Sequence, residues 1–167
     1  MIQIKKTSLD DQERIHKLYK KVATMAGGIA RTFDEITEKY VSDFLTKSHK
    51  QGLSLLAINE HQQIVGEIHA YVSGLKCFSH VFTELTIAVD PDYQGQGVGR
   101  KLFEHFLKEV TEHYPKILRI ELICRETNQK AVKFYQSLGF VSEGRLKNRI
   151  SNPDGSLESD LTMAWLR

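Results

Sequence analysis

"YQGQGVGRK", residues 93–101, places glycines at 95, 97 and 99 with two cations directly behind them, and an apolar stripe begins at once. Leu102, Phe103, Phe106, Leu107 and Val110 fall on one side of a 3.6-residue period, so the stretch opens a helix. A strand-like run, "VFTELTIAV" at 81–89, precedes it, and another, "ILRIELIC", occupies 117–124. A strand, a helix and a second strand in this order predict a parallel crossover, and the fold is built outward from it.

Upstream, "IQIKKT" reads as a short strand. Ser8 with Asp11 three residues on is a capping signature for a helix that carries Ile15, Leu18, Tyr19 and Val22 on one face and stops at Gly27 and Gly28. Thr32 and Glu35 repeat the signal before a second helix with Ile36, Tyr40, Val41, Phe44 and Leu45, ending near Gly52. "LSLLAIN" and "IVGEIHAYV" then alternate as strands separated by a few polar residues, which suggests an antiparallel hairpin. Downstream, a short helix from about Asn128 to Leu138 is stopped by Gly139, and two last strands flank "NPDG". The predicted order is β-α-α-β-β-β-α-β-α-β-β, an α/β (α+β) fold with a mixed, mostly antiparallel seven-stranded sheet flanked by about four helices.

The bulk composition sets limits on what such a chain binds. Its 167 residues, 41% hydrophobic and 26% charged, suit one domain spanning 1–167. A net charge of +2 comes from 23 basic and 21 acidic residues interspersed along the chain, with no basic stripe, so nucleic acid is not the expected partner. "MIQIKKTSLDD" lacks the apolar core of a signal peptide, and no apolar run reaches the roughly 20 residues that span a bilayer, so the expectation is a cytoplasmic protein without membrane contact. Cys77 and Cys124 are far apart and lack zinc spacing; two reduced thiols and no metal are expected.

Helix N-termini carry unpaired N–H groups and partial positive charge, so acidic side chains gather there. None stands between Gln94 and Phe103, and three glycines bare the main chain. An external anion fits that vacancy, and Arg100 and Lys101 favour a di- or polyphosphate. The dinucleotide G-x-G-x-x-G pattern fails because Arg100 stands where its third glycine belongs, and the P-loop pattern also fails.

A second motif, "NQKAVKFYQSLGF" at 128–140, packs Ala131, Phe134 and Leu138 but keeps polar groups on Asn128 and Tyr135 that packing alone does not require. Together the two motifs resemble the GNAT superfamily of acyl-CoA-dependent N-acyltransferases. Gln94-Gly95-Gln96-Gly97-Val98-Gly99 fits its Q/R-x-x-G-x-G/A signature, and the element order agrees over most of the chain. The closing "EGRLKNRISNPDGSLESDLTMAW" is similar to branches that modify small amines, amino acids or protein N-termini.

The resemblance implies acetyl-CoA or a related thioester lying between the strands at 82–89 and 117–124. Its pyrophosphate would meet main-chain amides of Gln94, Gly95, Gln96, Gly97, Val98, Gly99 and Arg100. The pantetheine would pair with main-chain groups of Ile87 and Val89 like an added strand. Asn128 would contact the pantetheine arm and Tyr135 the sulfur. Lys133 either reaches the phosphates or is a solvated cation.

An amine of pKa about 10.4 is mostly ammonium at neutral pH, so attack on a thioester benefits from a general base. Glu84 is the candidate, acting directly or through a water, with an ordinary strand carboxylate as the other reading. Tyr135 is the candidate acid for the departing thiolate. The expected function is acetyl transfer to a primary amine of a small molecule, such as an amino acid or polyamine, in a ternary complex. A protein or peptide acetyltransferase is the alternative, and a non-catalytic acyl-CoA sensor is the alternative of another class. The strand-rich ends make a homodimer plausible.

Overall fold

The computed structural model describes residues 1–25 and 27–167. Ser8 accepts from Asp10 N–H, and Asp11 reaches back to the Ser8 amide, so the expected capping box starts a short 3-10 turn that continues into α1, Gln12–Ala23. The second helix differs from expectation. Thr32 and Glu35 do bond to one another, but they close an isolated turn, and the helix, α2 at Glu38–Gln51, begins one cap later, where the Thr37 hydroxyl accepts from Tyr40 N–H.

The strands are β1 (Gln3–Lys6), β2 (Gly52–Ile58), β3 (Ile64–Tyr71), β4 (Val81–Val89), β5 (Arg119–Arg125), β6 (Val141–Ser151) and β7 (Leu157–Leu166), and the remaining helices are α3 (Val98–His113) and α4 (Gln129–Ser137). They form one seven-stranded sheet in the order β1-β2-β3-β4-β5-β7-β6. Only β4 with β5 is parallel; every other neighbour pair is antiparallel. The crossover through α3 is what forces that parallel pair.

Helices cover both faces, so β2 is buried from Leu53 to Ile58 rather than alternating, with Ser54 as its one polar side chain. Leu53, Leu55 and Ala57 face α3, whose Leu102, Phe103, Phe106 and Val110 are fully buried. Leu56 and Ile58 face the opposite way, against Ile15, Tyr19 and Val22 of α1 and Val41, Phe44 and Leu45 of α2.

The parallel junction is short. Strand β4 pairs with β5 only at Val81 with Arg119 and Phe82 with Ile120, after which the two strands part. Glu84 lies at this departure with a left-handed backbone (φ 54°), and the β3–β4 register slips between His69 and Tyr71. Such a bulge bends a strand and re-aims its side chains, here next to the gap.

Candidate active site

The gap between β4 and β5 is a cleft of about 840 Å³. Thr83 to Ile87 form one wall and Glu121 to Arg125 the other, while Asn128, Ala131 and Tyr135 of α4 close one side and Gly27 to Ala30, after α1, the opposite side. Four of the residues singled out in the sequence, Glu84, Ile87, Asn128 and Tyr135, therefore line a single cavity.

The main chain of β4 is oriented by its ladder to β3. The Asp90 amide donates to the Val65 carbonyl at 2.9 Å, opposite in register, so Ala88 and Thr86 also address β3. By the two-residue alternation of an antiparallel ladder, the N–H and C=O of Ile87 and Val89 point away from β3, across the cleft.

Beyond Val89 a 3-10 turn at Pro91–Tyr93 leads into the glycine stretch. Gly95 (φ 76°) and Gly97 (φ 79°) both adopt the left-handed backbone, and a Cβ on either would meet nothing within 4 Å, so the loop's outer surface is open. Gly97 is the N-cap of α3 and contributes no side-chain acceptor, and the first turn of α3 carries no acid. Successive amides in such a bend form a concave donor set suited to an anion.

Side chains stiffen this loop from behind. Gln94 Nε2 donates to the Val89 carbonyl at 3.3 Å and Gln96 Nε2 to the Asp92 carbonyl at 2.8 Å. Arg100 is already committed: its guanidinium donates to Ser137 Oγ at 2.7 Å and Glu104 at 3.2 Å, tying α3 to α4. Lys101 donates to the Ile2 carbonyl and so braces β1 rather than the loop. Lys133 is exposed on α4 and does not line the cleft.

Asn128 caps α4, its Oδ1 accepting from Ala131 N–H at 3.1 Å. Tyr135, half-buried, is held by the rings of Phe103, Phe134 and Phe140 at centroid distances of 5.9, 5.5 and 6.1 Å. Burial pushes its phenol well above the usual tyrosine range, with the nearby Cys124 adding to the effect. The phenol is protonated at neutral pH, as an unshifted tyrosine also is, and the shift favours hydrogen-bond donation over ionisation. Burial first, and the Asp160 charge second, also pushes the Cys124 thiol up to about 11, so it is not a nucleophile near neutrality. Among the described residues no cluster of three His, Cys, Asp or Glu could hold a metal ion, and no helix is long and apolar enough to cross a membrane.

Sequence reasoning missed the residues that reach this region from distant segments. Lys21 of α1 bridges Asp90 at 2.7 Å and Asp92 at 2.6 Å, which neutralises the acids just before the glycine loop. Behind β4 lies a buried network in which Glu67 accepts from Tyr19 and Ser54 at 2.6 Å each and pairs with His69 at 3.0 Å. No local pattern announces either contact, although an acidic pair before an acid-free loop is a weak pointer to a compensating cation.

Residues 9–140 match the sequence model of the acetyltransferase (GNAT) family. The chain belongs to the GNAT family. It is similar to the [ribosomal protein bS18]-alanine N-acetyltransferase of Escherichia coli K12, with 41% identity over 73 residues, 44% of this chain and 48% of that protein; the match thus spans about half of that relative's length. It is also similar to a peptidyl-lysine N-acetyltransferase of the same organism, 30% identical over 127 residues, covering 74% of this chain and 76% of the other. In structure, this GNAT chain superposes on a GNAT-family acetyltransferase from Streptococcus pneumoniae over all of both chains, with a TM-score of 0.89 at 23% identity, which speaks to the fold alone.

Proposed function

We propose that the chain is an N-acetyltransferase that moves an acetyl group from acetyl-CoA to a primary amine of a small molecule. One observation carries this reading: Glu84 and Tyr135, delivered by β4 and α4, line the same cleft, and β4 runs on from the wall of that cleft toward an acid-free glycine loop. The residues present suit coenzyme A, because the amides from Gly95 to Arg100 offer donors to a diphosphate, the Gln94 amide being taken up by the Pro91 carbonyl, and the edge of Ile87 and Val89 turned away from β3 suits an amide-bearing arm that displaces the Gln94 side chain from the Val89 carbonyl.

When bound, acetyl-CoA supplies an electrophilic thioester carbonyl; the chain supplies position and proton management. Glu84 takes the proton of the incoming ammonium, directly or through a water. Tyr135, protonated at neutral pH, gives a strong hydrogen bond or its proton to the departing thiolate, whose conjugate thiol has a pKa of about 8.5. Asn128 orients the arm, and Lys133, from its exposed face, screens the phosphates.

Calorimetry with acetyl-CoA, followed by thiol release in the presence of a panel of amines, tests this reading. Binding with release for selected small amines is the expected result. Stabilisation by acetyl-CoA without release from any acceptor would mark a sensor instead. A protein or peptide amine is the second reading, favoured by the likeness to the bS18-alanine and peptidyl-lysine enzymes. The exposed edge strand β6 adds a homodimer to the proposal, to be read by sedimentation.

A further inference from the structure

The charged groups around the cleft are unequally satisfied. Arg119 is held by Glu121 and Glu143, Arg125 by Glu158 and Arg149 by Asp160; among the described residues no ion pair engages Glu84 or Arg31. Both are exposed. Glu84 stands on the bulge of β4, in a left-handed backbone that costs a non-glycine residue roughly 1–2 kcal/mol and that aims its side chain at the gap.

Arg31 directly follows the Gly27 to Ala30 segment that forms the opposite wall. Its guanidinium lies 4.1 Å over the ring of Tyr40. A cation–π stack fixes the plane of the fork, and beyond the hydrogen bond to the Tyr40 hydroxyl its other N–H groups can read a carboxylate. The phenol of Tyr71 senses both charges: burial raises it most, Glu84 raises it further, and Arg31 opposes. Glu84 lines one wall of the cleft and Arg31 adjoins the other, and among the described residues no ion pair joins them.

We propose that Arg31 is a specificity-determining residue that holds the carboxylate of a zwitterionic acceptor whose amine faces Glu84, so the acceptor is a free amino acid or a close amino-carboxylate rather than a polyamine or a peptide. The inference rests on the acyl-transfer reading above and narrows its acceptor. The bond changes are those of that reading: N–C forms and C–S breaks, and of the two protons the ammonium loses one passes to Glu84 while the other replaces the proton that Tyr135 gives the thiolate. Arg31 takes no part in them.

The test measures acetyl-CoA-dependent thiol release by the full chain with the proteinogenic L-amino acids, the carboxamide of each one used, spermidine, and a short alanine-initiated peptide. The expected result is release with at least one amino acid, and a kcat/KM for its carboxamide lower by about 10- to 100-fold, as a site built for a polar group rejects the analogue lacking it. Arg31→Gln raises the KM for the amino acid by about tenfold or more while kcat changes little, and leaves acetyl-CoA affinity as it was. Arg31→Lys, which keeps the charge but loses the stacked fork, recovers part of the loss.

Equal use of acid and carboxamide, or an unchanged KM in Arg31→Gln, overturns the assignment. Release with spermidine or the peptide alone also overturns it, while leaving acyl transfer standing. Binding of acetyl-CoA without release from any member overturns both.

Discussion

Tyr135 has its proposed role through a hydroxyl that its neighbours hold in place. Three phenylalanine rings pack around it, and burial raises its pKa, so it meets a departing thiolate as a protonated hydrogen-bond donor. Tyr135→Phe preserves the ring packing, so kcat should fall by on the order of 10² with acetyl-CoA affinity nearly unchanged, and wild-type turnover would remove the residue from the mechanism. The two cysteines separate by the same logic. Cys77 is exposed, whereas Cys124 is buried with a thiol pKa of about 11. Because only the thiolate reacts and its pKa is raised, Cys124 should resist iodoacetamide until the pH approaches 11, while Cys77 is modified at ordinary alkaline pH. Peptide mapping after alkylation at neutral pH that found Cys124 labelled as fast as Cys77 would contradict this placement.

Elements were legible wherever local pattern decides them. The Ser8 capping box, the stripe of α3 and the period-2 strands all formed where their residues predicted, because each depends on neighbours within a few positions. The start of α2 was not, since Thr32 and Glu35 bond as a capping pair would while the chain between them and Glu38 turns instead of coiling. The bulge at Glu84 was hidden for a different reason: a slip of pairing arises from the partner strand, and the alternation of "TELTIAV" looks regular when read alone. In the candidate site, the glycine loop and Tyr135 could be found from motifs, but Lys21 and Arg31 could not, because their partners lie across the fold. The loop's own geometry gives a test at this scale. Gly97→Ala keeps open space around the new methyl, so it should cost only the left-handed backbone penalty of about 1–2 kcal/mol, read by thermal melting. Gly97→Glu adds bulk and negative charge at the nest and should abolish acetyl-CoA binding, and unaltered calorimetry would refute the cradle.

Across the whole molecule, Lys21 couples α1 to the turn that leads into the glycine loop. Lys21 spans to Asp90 and Asp92, and its removal leaves two uncompensated carboxylates beside the proposed diphosphate site. Lys21→Met should weaken acetyl-CoA binding by about 3- to 10-fold, an effect of like-charge repulsion screened by solvent. The Tm should fall by about 2–4 °C if the exposed pairs contribute about 1 kcal/mol. Adding Asp92→Asn should restore much of the affinity but not the Tm; affinity that stayed low would place the role of Lys21 elsewhere. The two-rung junction between β4 and β5 has a consequence of a different kind. Mechanically the sheet is a pair of leaves sewn at one short spine. The proposed guest, laid lengthwise between the leaves, would act as extra stitching, so loading this protein should also stiffen it.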